Sequence, residues 1–180
     1  MGKLKIKQDG FTIIELMVVL VILLIVISLG YMFFDFGIRA FNRGEQRAIA
    51  QQATRTASSF ISSEMRYASH ITINPPAIDT SDDDYSYIYQ NGQSVYFQDK
   101  DKSIPARILL DSSADQIAYS ITFNEDLVDP THPVIEYILE AENIYTLTSN
   151  VFILNLANKD HYIRNPQTDN ITGIKYKKPF

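Results

Sequence analysis

A long apolar run near the N-terminus is the feature that most constrains this 180-residue chain. Residues 11–29 read FTIIELMVVLVILLIVISL and carry a single charged side chain, that of Glu15. An α-helix rises about 1.5 Å per residue, so about 20 apolar residues cross the hydrocarbon core of a bilayer. The run nearly reaches that length, and the apolar and aromatic residues up to Phe34 extend it. The sequence therefore predicts a membrane-inserted helix.

The charges that flank this run do not set its orientation. Lysines at positions 3, 5 and 7 precede it, and arginines at positions 39, 43 and 47 follow it closely, so the counts on the two sides nearly balance. Three interpretations stay open: a single-pass anchor, a secretory signal peptide cut near residues 28–30, and a leader removed ahead of the helix. The run exceeds the apolar core of a signal peptide, and only the third interpretation accounts for Glu15.

Glu15 is costly in an apolar segment. Insertion scales put a charged side chain near the centre of a membrane helix at about 2.5–3.5 kcal/mol, and somewhat less near an interface. An ionisable group in such a segment is by default functional and needs a partner. The alternative is that Glu15 lies shallow enough to be hydrated among lipid headgroups.

The residues around Glu15 resemble the leader of type IV prepilins. A short basic segment ends in Gly10, Phe11 follows, and Glu15 is the fifth residue after Gly10, with Leu16 next. The resemblance implies that a prepilin peptidase cuts between Gly10 and Phe11, and that Phe11 is then N-methylated. It also implies that Glu15 pairs with the N-terminal ammonium of a neighbouring subunit during assembly, and that the N-terminus starts in the cytoplasm.

The middle of the helix departs from the pattern of many major pilins, which carry a proline about two turns past the apolar midpoint. Here Met32 occupies that stretch, and no proline precedes Pro75. Gly30, Gly37 and Gly44 recur every seven residues. They either weaken the helix, by about 1 kcal/mol each relative to Ala, or allow close helix packing on one face. The missing proline favours a minor over a major subunit.

Beyond Gly37 the pattern becomes that of an amphipathic helix that covers a sheet. The apolar positions at three-and-four spacing are Ile38, Phe41, Ile49, Ala53, Ala57, Phe60, Ile61, Met65 and Ala68. The three arginines at positions 39, 43 and 47 lie on the polar surface, as either a solvated face or a contact for an acidic neighbour. Pro75 ends the pattern, because proline cannot continue a helix. The sequence thus predicts one helix, with residues 11–37 in the membrane and 38–73 on the head.

Residues 74–180 are predicted to form a β-rich head outside the cytoplasm. Asn91-Gly92 separates two alternating segments, 85–90 and 93–98, and is a strong hairpin signal. Further strands are predicted at residues 107–110, 117–123, 134–139, 144–148 and 151–156. Residues 159–180 show no clear periodicity and are predicted to be mobile or to reach a neighbour. A helix followed by antiparallel strands predicts an α+β fold, a long N-terminal helix packed on an antiparallel sheet.

Composition argues against catalysis and nucleic-acid binding by the head. From Ile71 onward the chain has eight Lys or Arg and sixteen Asp or Glu. This excess of negative charge repels phosphates, except at the basic tail formed by the lysines at positions 175, 177 and 178. There is no cysteine, and no histidine has a second one at metal-ligand spacing. The acidic loop 79–84 lacks the spacing and glycine of an EF-hand, which favours a solvated loop over a calcium site. We therefore expect no metal, cofactor, catalytic residue or enzyme activity.

The resemblance and the layout together predict a structural subunit, a minor pilin or pseudopilin, of a type IV pilus-like filament. Residues 1–10 are the predicted leader. The predicted partners are prepilin peptidase, other pilin or pseudopilin subunits and the cytoplasmic membrane, from which the subunit passes to a cell-surface or periplasmic filament. Adhesion and motility, secretion, and DNA uptake all stay open as the filament's task. The alternative is an extracytoplasmic binding protein anchored by an uncleaved single-pass helix.

Overall fold

One long helix, α1 (Ile13–Met65), makes up most of the N-terminal part of the chain. The computed structural model describes residues 10–75, 78, 83–124, 128–129, 132–155, 162–164 and 172–179. The chain divides into two compact units, Met1–Glu45 and Gln46–Phe180, and α1 contributes residues to both. The predicted α+β class is confirmed, because α1 is followed by antiparallel strands.

In the N-terminal unit the apolar side chains of α1 are exposed on every side. Each large apolar residue from Phe11 to Phe41 is between 45% and 84% exposed. Of the helices in the described residues, α1 is the one long and apolar enough to cross a membrane. A helix that is apolar all round requires apolar surroundings all round, from lipid or from other protein chains.

The helix ends at Met65, so the prediction that it continues to residue 73 is wrong. The amide of Ala68 donates to the carbonyl of Met65 at 3.0 Å and closes a turn that stops the helix. Residues 70–73 then form a strand in which Ile71 and Ile73 are buried, so the side-chain period changes from that of a helix to that of a strand. A strand here completes a sheet, which outweighs the local helix pattern.

The predicted apolar stripe is also buried over a shorter length than expected. The buried residues of α1 are Ala50, Thr54, Ala57, Ser58, Ile61 and Met65. Ile38 and Phe41, which were predicted to cover the sheet, are exposed.

The strands of the C-terminal unit form two sheets. In chain order they are β1 (His70–Ile73), β2 (Ser86–Asn91), β3 (Ser94–Gln98), β4 (Arg107–Leu110), β5 (Tyr119–Asn124), β6 (Val128–Asp129), β7 (His132–Ala141), β8 (Tyr145–Phe152), β9 (Tyr162–Arg164) and β10 (Gly173–Lys177). A short helix, α2 (Ser112–Asp115), lies between β4 and β5. The first sheet has the order β4-β3-β2-β10-β1-β9 and is antiparallel except for the pair β1–β9.

The hairpin β2–β3 confirms the Asn91-Gly92 signal. Asn91 pairs with Ser94, and Gly92 has a φ of 60°, the left-handed conformation that glycine adopts without strain. The predicted strand at residues 107–110 is likewise present as β4.

The last strand, β10, corrects the prediction for the C-terminal stretch. Residues 173–177 lie in the middle of the first sheet, between β1 and β2, rather than being mobile. Gly173 pairs directly with Tyr89, and a Cβ added there would lie 3.0 Å from the carbonyl oxygen of Ile88, so the close approach of β2 and β10 requires glycine.

In the second sheet, β7 pairs with β5 on one side and with β8 on the other, and β6 pairs with the first residues of β7. Residues 144–148 and 151–156 were predicted as separate strands. The prediction of two separate strands is wrong, because β8 runs unbroken from Tyr145 to Phe152 opposite the long strand β7.

A single hydrophobic core joins the second part of α1 to both sheets. Ile61 of α1, Ile88 and Ile174 of the first sheet, and Ile121 and Leu139 of the second are fully buried members of it. The buried hydroxyl of Tyr137 on β7 adds polar contacts to α1. It lies 2.7 Å from the Ser58 hydroxyl and 2.8 Å from the Ser62 hydroxyl, and it donates to the Ser58 carbonyl at 2.9 Å.

Candidate functional site

The predicted site residues lie together at the start of α1. Gly10 and Phe11 precede the helix in non-helical backbone, Thr12 immediately precedes its first residue, and Glu15 lies in its first turn. Residues 1–9, which include the basic part of the predicted leader, lie outside the described residues.

Thr12 and Glu15 form a reciprocal capping box. The amide of Glu15 donates to the Thr12 hydroxyl oxygen at 3.4 Å, while the amide and the hydroxyl of Thr12 donate to Oε2 of Glu15 at 3.4 and 3.3 Å. The spacing Thr-x-x-Glu was in the sequence and would have predicted this contact. A carboxylate at this end of a helix is also favoured by the helix dipole.

The bond predicted to be cut is open to a protease. Gly10 and Phe11 are both exposed, and a Cβ added at Gly10 would meet nothing within 4 Å. Because neither residue belongs to α1, cleavage between them would not require the helix to unwind. It would create a new amino group one residue before the capping threonine.

Glu15 is the single charged residue of the first apolar stretch, and the next charges along α1 are paired. Asp35 and Arg39 form an ion pair one helical turn apart. The hydroxyl of Ser28 donates to the carbonyl of Leu24 at 2.8 Å, so it too is satisfied within the helix. The first ion pair after Glu15 therefore lies beyond the uncharged apolar run, at Asp35.

The three glycines that recur every seven residues leave open space on the surface of α1. The helix continues through Gly30, Gly37 and Gly44, and a Cβ added at any of them would meet nothing within 4 Å. The two interpretations of these glycines, local weakening and close packing against another helix, both remain predictions.

The basic tail is engaged inside the C-terminal unit, which the sequence did not reveal. Lys177 pairs with Asp84 at 3.3 Å, and Lys178 pairs with Glu64 at 2.7 Å. The Lys175 ammonium lies 3.9 Å from the ring centre of Tyr85. These contacts depend on β10 being a strand of the sheet, which is why composition alone presented the lysines as a free basic tail.

Tyr176 joins the last strand to the end of α1. Its hydroxyl donates to Oε2 of Glu64 at 2.8 Å. Burial, and secondarily the charge and hydrogen bond of Glu64, raises the pKa of Tyr176 well above its usual value of 10.0. Glu64 lies in the last turn of α1, where the helix dipole disfavours a carboxylate, so its contacts with Tyr176 and Lys178 offset a local conflict.

No cluster of His, Cys, Asp or Glu that could hold a metal ion is present in the described residues. Residues 79–82 of the acidic loop lie outside them, so the preference for a solvated loop over a calcium site stays a prediction there. The adjacent open cleft is lined by charges of both signs, including Asp83, Asp101, Lys100 and Lys102. The Lys102 ammonium is already bound by the carbonyls of Tyr85 and Asp99, at 3.0 and 2.9 Å.

Comparison with known proteins agrees with this geometry. Residues 5–31 match the prokaryotic N-terminal methylation motif, a range that contains Gly10, Phe11 and Glu15. A comparison with curated protein sequences gave no match.

Two solved structures share the fold. The PilB minor pilin from Streptococcus sanguinis superposes with a TM-score of 0.55 at 17% sequence identity, over 74% of this chain and 35% of that one. An alanine mutant of the same protein gives a TM-score of 0.52 at 16% identity, with the same coverage. The chain therefore spans about a third of the length of the structures it matches. A prokaryotic N-terminal methylation motif thus lies at the start of a long, exposed apolar helix, in a chain that shares the fold of a minor pilin.

Proposed function

We propose that the protein is a minor subunit of a type IV pilus-like filament. It is inserted in the cytoplasmic membrane by residues 11–37, cut by prepilin peptidase between Gly10 and Phe11, N-methylated at Phe11, and assembled with other pilin subunits through α1. The observation that carries the proposal is the position of Glu15, in the first turn of a helix whose large apolar side chains from Leu16 to Phe41 are all exposed.

The chemistry of Glu15 supports a role in assembly. Among the described residues, the donors that reach its carboxylate are the amide and hydroxyl of Thr12, which are neutral and do not compensate its negative charge. A carboxylate in hydrocarbon must acquire a cation or a proton, because its ionised form is strongly disfavoured there. Cleavage after Gly10 supplies that cation on each processed subunit, and the ammonium of a neighbouring Phe11 then pairs with Glu15.

Cleavage on the cytoplasmic side also sets the topology. The N-terminus starts in the cytoplasm, α1 crosses the membrane, and residues 46–180 lie on the other side. The flanking charges alone favour neither orientation. The mature subunit then moves from the membrane into a cell-surface or periplasmic filament.

The contacts of the basic tail support a head without stable nucleic-acid binding. The ammonium groups of Lys177 and Lys178 are paired with Asp84 and Glu64, so phosphates would have to displace these carboxylates. The excess of acidic residues from Ile71 onward disfavours such a displacement.

The role of minor subunit rests on the uninterrupted helix. No proline breaks α1, which continues through Gly30, Gly37 and Gly44 to Met65. Quantitative mass spectrometry of sheared filaments tests this point, and we expect the protein to be scarce relative to the principal subunit. An abundance equal to that of the principal subunit would overturn the assignment as minor.

The assembly role is tested by Glu15→Gln, which removes the charge and keeps the shape. We expect insertion and cleavage to be retained and incorporation into filaments to fall at least about tenfold, the effect of about 1.4 kcal/mol. The matched control is Glu45→Gln, at an exposed acid on the same helix, which should assemble normally. Normal incorporation of Glu15→Gln would refute the pairing of Glu15 with a neighbour's ammonium.

A further inference from the structure

The outer edge of β8 is open from Tyr145 to Val151 among the described residues. All eight residues of β8 pair with β7, in a register that runs unbroken from Val134↔Phe152 to Ala141↔Tyr145. No other strand of the described part of the chain pairs with β8. A strand edge of this kind presents backbone donors and acceptors that can pair with a further strand.

β8 also lacks the features that usually prevent edge pairing. Its sequence, YTLTSNVF, contains no charged residue, no proline and no glycine, and five of its eight residues are β-branched or aromatic. Natural edge strands are protected by being short, by charges, by prolines or by bulges. β8 is long, uncharged and regular.

The other sheet edges of the described residues are protected. β4 has four residues, includes Arg107 and closely follows Pro105, and β9 has three residues. The outer edge of β5 is bonded by other parts of the chain, because the amide of Tyr119 donates to the Gln93 carbonyl at 2.9 Å and the amide of Ile121 donates to the Gln90 side chain at 3.3 Å. β8 is therefore the exception.

We propose that β8 pairs antiparallel with β8 of a second copy of this chain, and this rests on the membrane anchoring proposed above. Antiparallel pairing of a strand with itself is isologous, so one two-fold axis satisfies both copies. The exposed side chains at the centre of the strand, Thr146, Thr148 and Asn150, are uncharged, so no like charges oppose each other across the pair. Two acidic heads repel at most surfaces, and an uncharged strand is where they can approach. Anchoring in one bilayer raises the effective concentration of the two copies.

The absence of cysteine makes a direct test possible, since any introduced cysteine is the only thiol. The variants Thr146→Cys, Thr148→Cys and Asn150→Cys are each made in the full-length chain and oxidised in membranes. Facing residues of paired strands have Cβ atoms about 4.5–5.5 Å apart, close to the separation that a disulfide bridges. We expect at least one variant to give a dimer of this chain.

Thr122→Cys is the matched control. Thr122 is exposed on β5, and it lies in line with Ile138 and Thr148 across the second sheet, so it shares their face but not the open edge. It should give no dimer. Dimers from Thr122→Cys at an equal yield would show random collision and overturn the proposal, as would the absence of dimers from all three β8 variants or cross-linking of β8 to a different protein.

A second variant separates pairing from cysteine reactivity. Thr146→Lys combined with Thr148→Lys places like charges along the edge and should lower the yield of Asn150→Cys dimers at least about fivefold, whereas Thr122→Lys should not. An unchanged yield with the lysines in place would contradict strand pairing.

The N-terminus of the same samples is measured as well. Normal processing without dimers would sink only the β8 pairing, whereas an unprocessed N-terminus would sink the proposed function.

Discussion

The two units use the same helix in opposite ways. In the N-terminal unit the large apolar side chains of α1 are exposed on every side, whereas in the C-terminal unit Ala57, Ile61 and Met65 are buried on one face. The backbone hydrogen bonds of a helix are local and form in either setting, but the free energy of its apolar side chains depends on what surrounds them. Secondary structure is therefore shared between the units, and only the C-terminal unit supplies its own apolar surroundings.

The largest expected contrast comes from removing an apolar side chain in each unit. Ile61→Ala should lower the free energy of unfolding of the C-terminal unit by about 2–5 kcal/mol, because Ile61 is fully buried and a cavity is left. Leu20→Ala should leave that free energy unchanged, since Leu20 is exposed. Denaturant unfolding of the full chain in detergent measures both. Equal losses would break the distinction between the units.

A second contrast concerns polar contacts between α1 and the second sheet. Tyr137→Phe should destabilise the C-terminal unit by about 1–3 kcal/mol, because the buried hydroxyl of Ser58 and the half-buried hydroxyl of Ser62 lose their partner. Tyr67→Phe removes a hydroxyl from an exposed ring and is the control, with an expected change near zero. If both variants unfold at the wild-type denaturant concentration, the hydroxyl of Tyr137 contributes nothing to the attachment of α1.

Alkaline pH should weaken the C-terminal unit through Tyr176. The pKa of Tyr176 in the folded chain is raised above the usual 10.0. Below pH 10 Tyr176 is protonated in both the folded and the unfolded chain, so its contribution to stability is fully present. Above pH 10 the unfolded chain deprotonates first, and this contribution is lost as the pH rises. Tyr176 should contribute a loss of about 1 kcal/mol per pH unit above 10, in addition to the losses from Tyr119 and Tyr89, whose pKa values burial also raises. Unfolding between pH 8 and 11 measures it. Tyr176→Phe should make the profile less steep, and a profile as steep as that of the wild type would contradict this cause.

The smallest contrast is between glycines. Gly92→Ala should cost about 1–2 kcal/mol, because Gly92 has a φ of 60° in the β2–β3 turn. Gly44→Ala, in the helical N-terminal unit with open space around its Cβ, should instead stabilise α1 by about 1 kcal/mol. Thermal unfolding and amide exchange near each position measure the expected loss of stability at Gly92 and the expected gain at Gly44. A gain at Gly92, or a loss at Gly44, would contradict the conformations described.

The parts of the fold that could be predicted are those with local signals. The apolar run, the Asn91-Gly92 turn and the strand at residues 107–110 depend on residues close in sequence, and they are present as expected. The site residues were predicted from a short motif at fixed spacing, and their roles stay predictions. They lie close together because they are close in sequence, in the residues just before α1 and in its first turn.

The missed strands depend on distant partners. β10 begins with a glycine and contains alternating lysines, and it becomes a strand because β1 and β2, roughly a hundred residues earlier, flank it on both sides. The segment His70–Ile73 alternates polar and apolar residues, a signal for β1 that was available but was outweighed by the helical pattern before it and by Pro75 after it. The capping contact of Thr12 was readable from its spacing to Glu15.

The mass of the mature N-terminus is the measurement that tests the central claim most directly. The protein is isolated from membranes of cells that contain prepilin peptidase, and its N-terminal peptide is identified by mass spectrometry. We expect a chain that begins at Phe11 with a methylated amino group. A chain that still begins at Met1 would support the uncleaved anchor, a chain that begins at Tyr31 would support secretion, and either result would contradict the account.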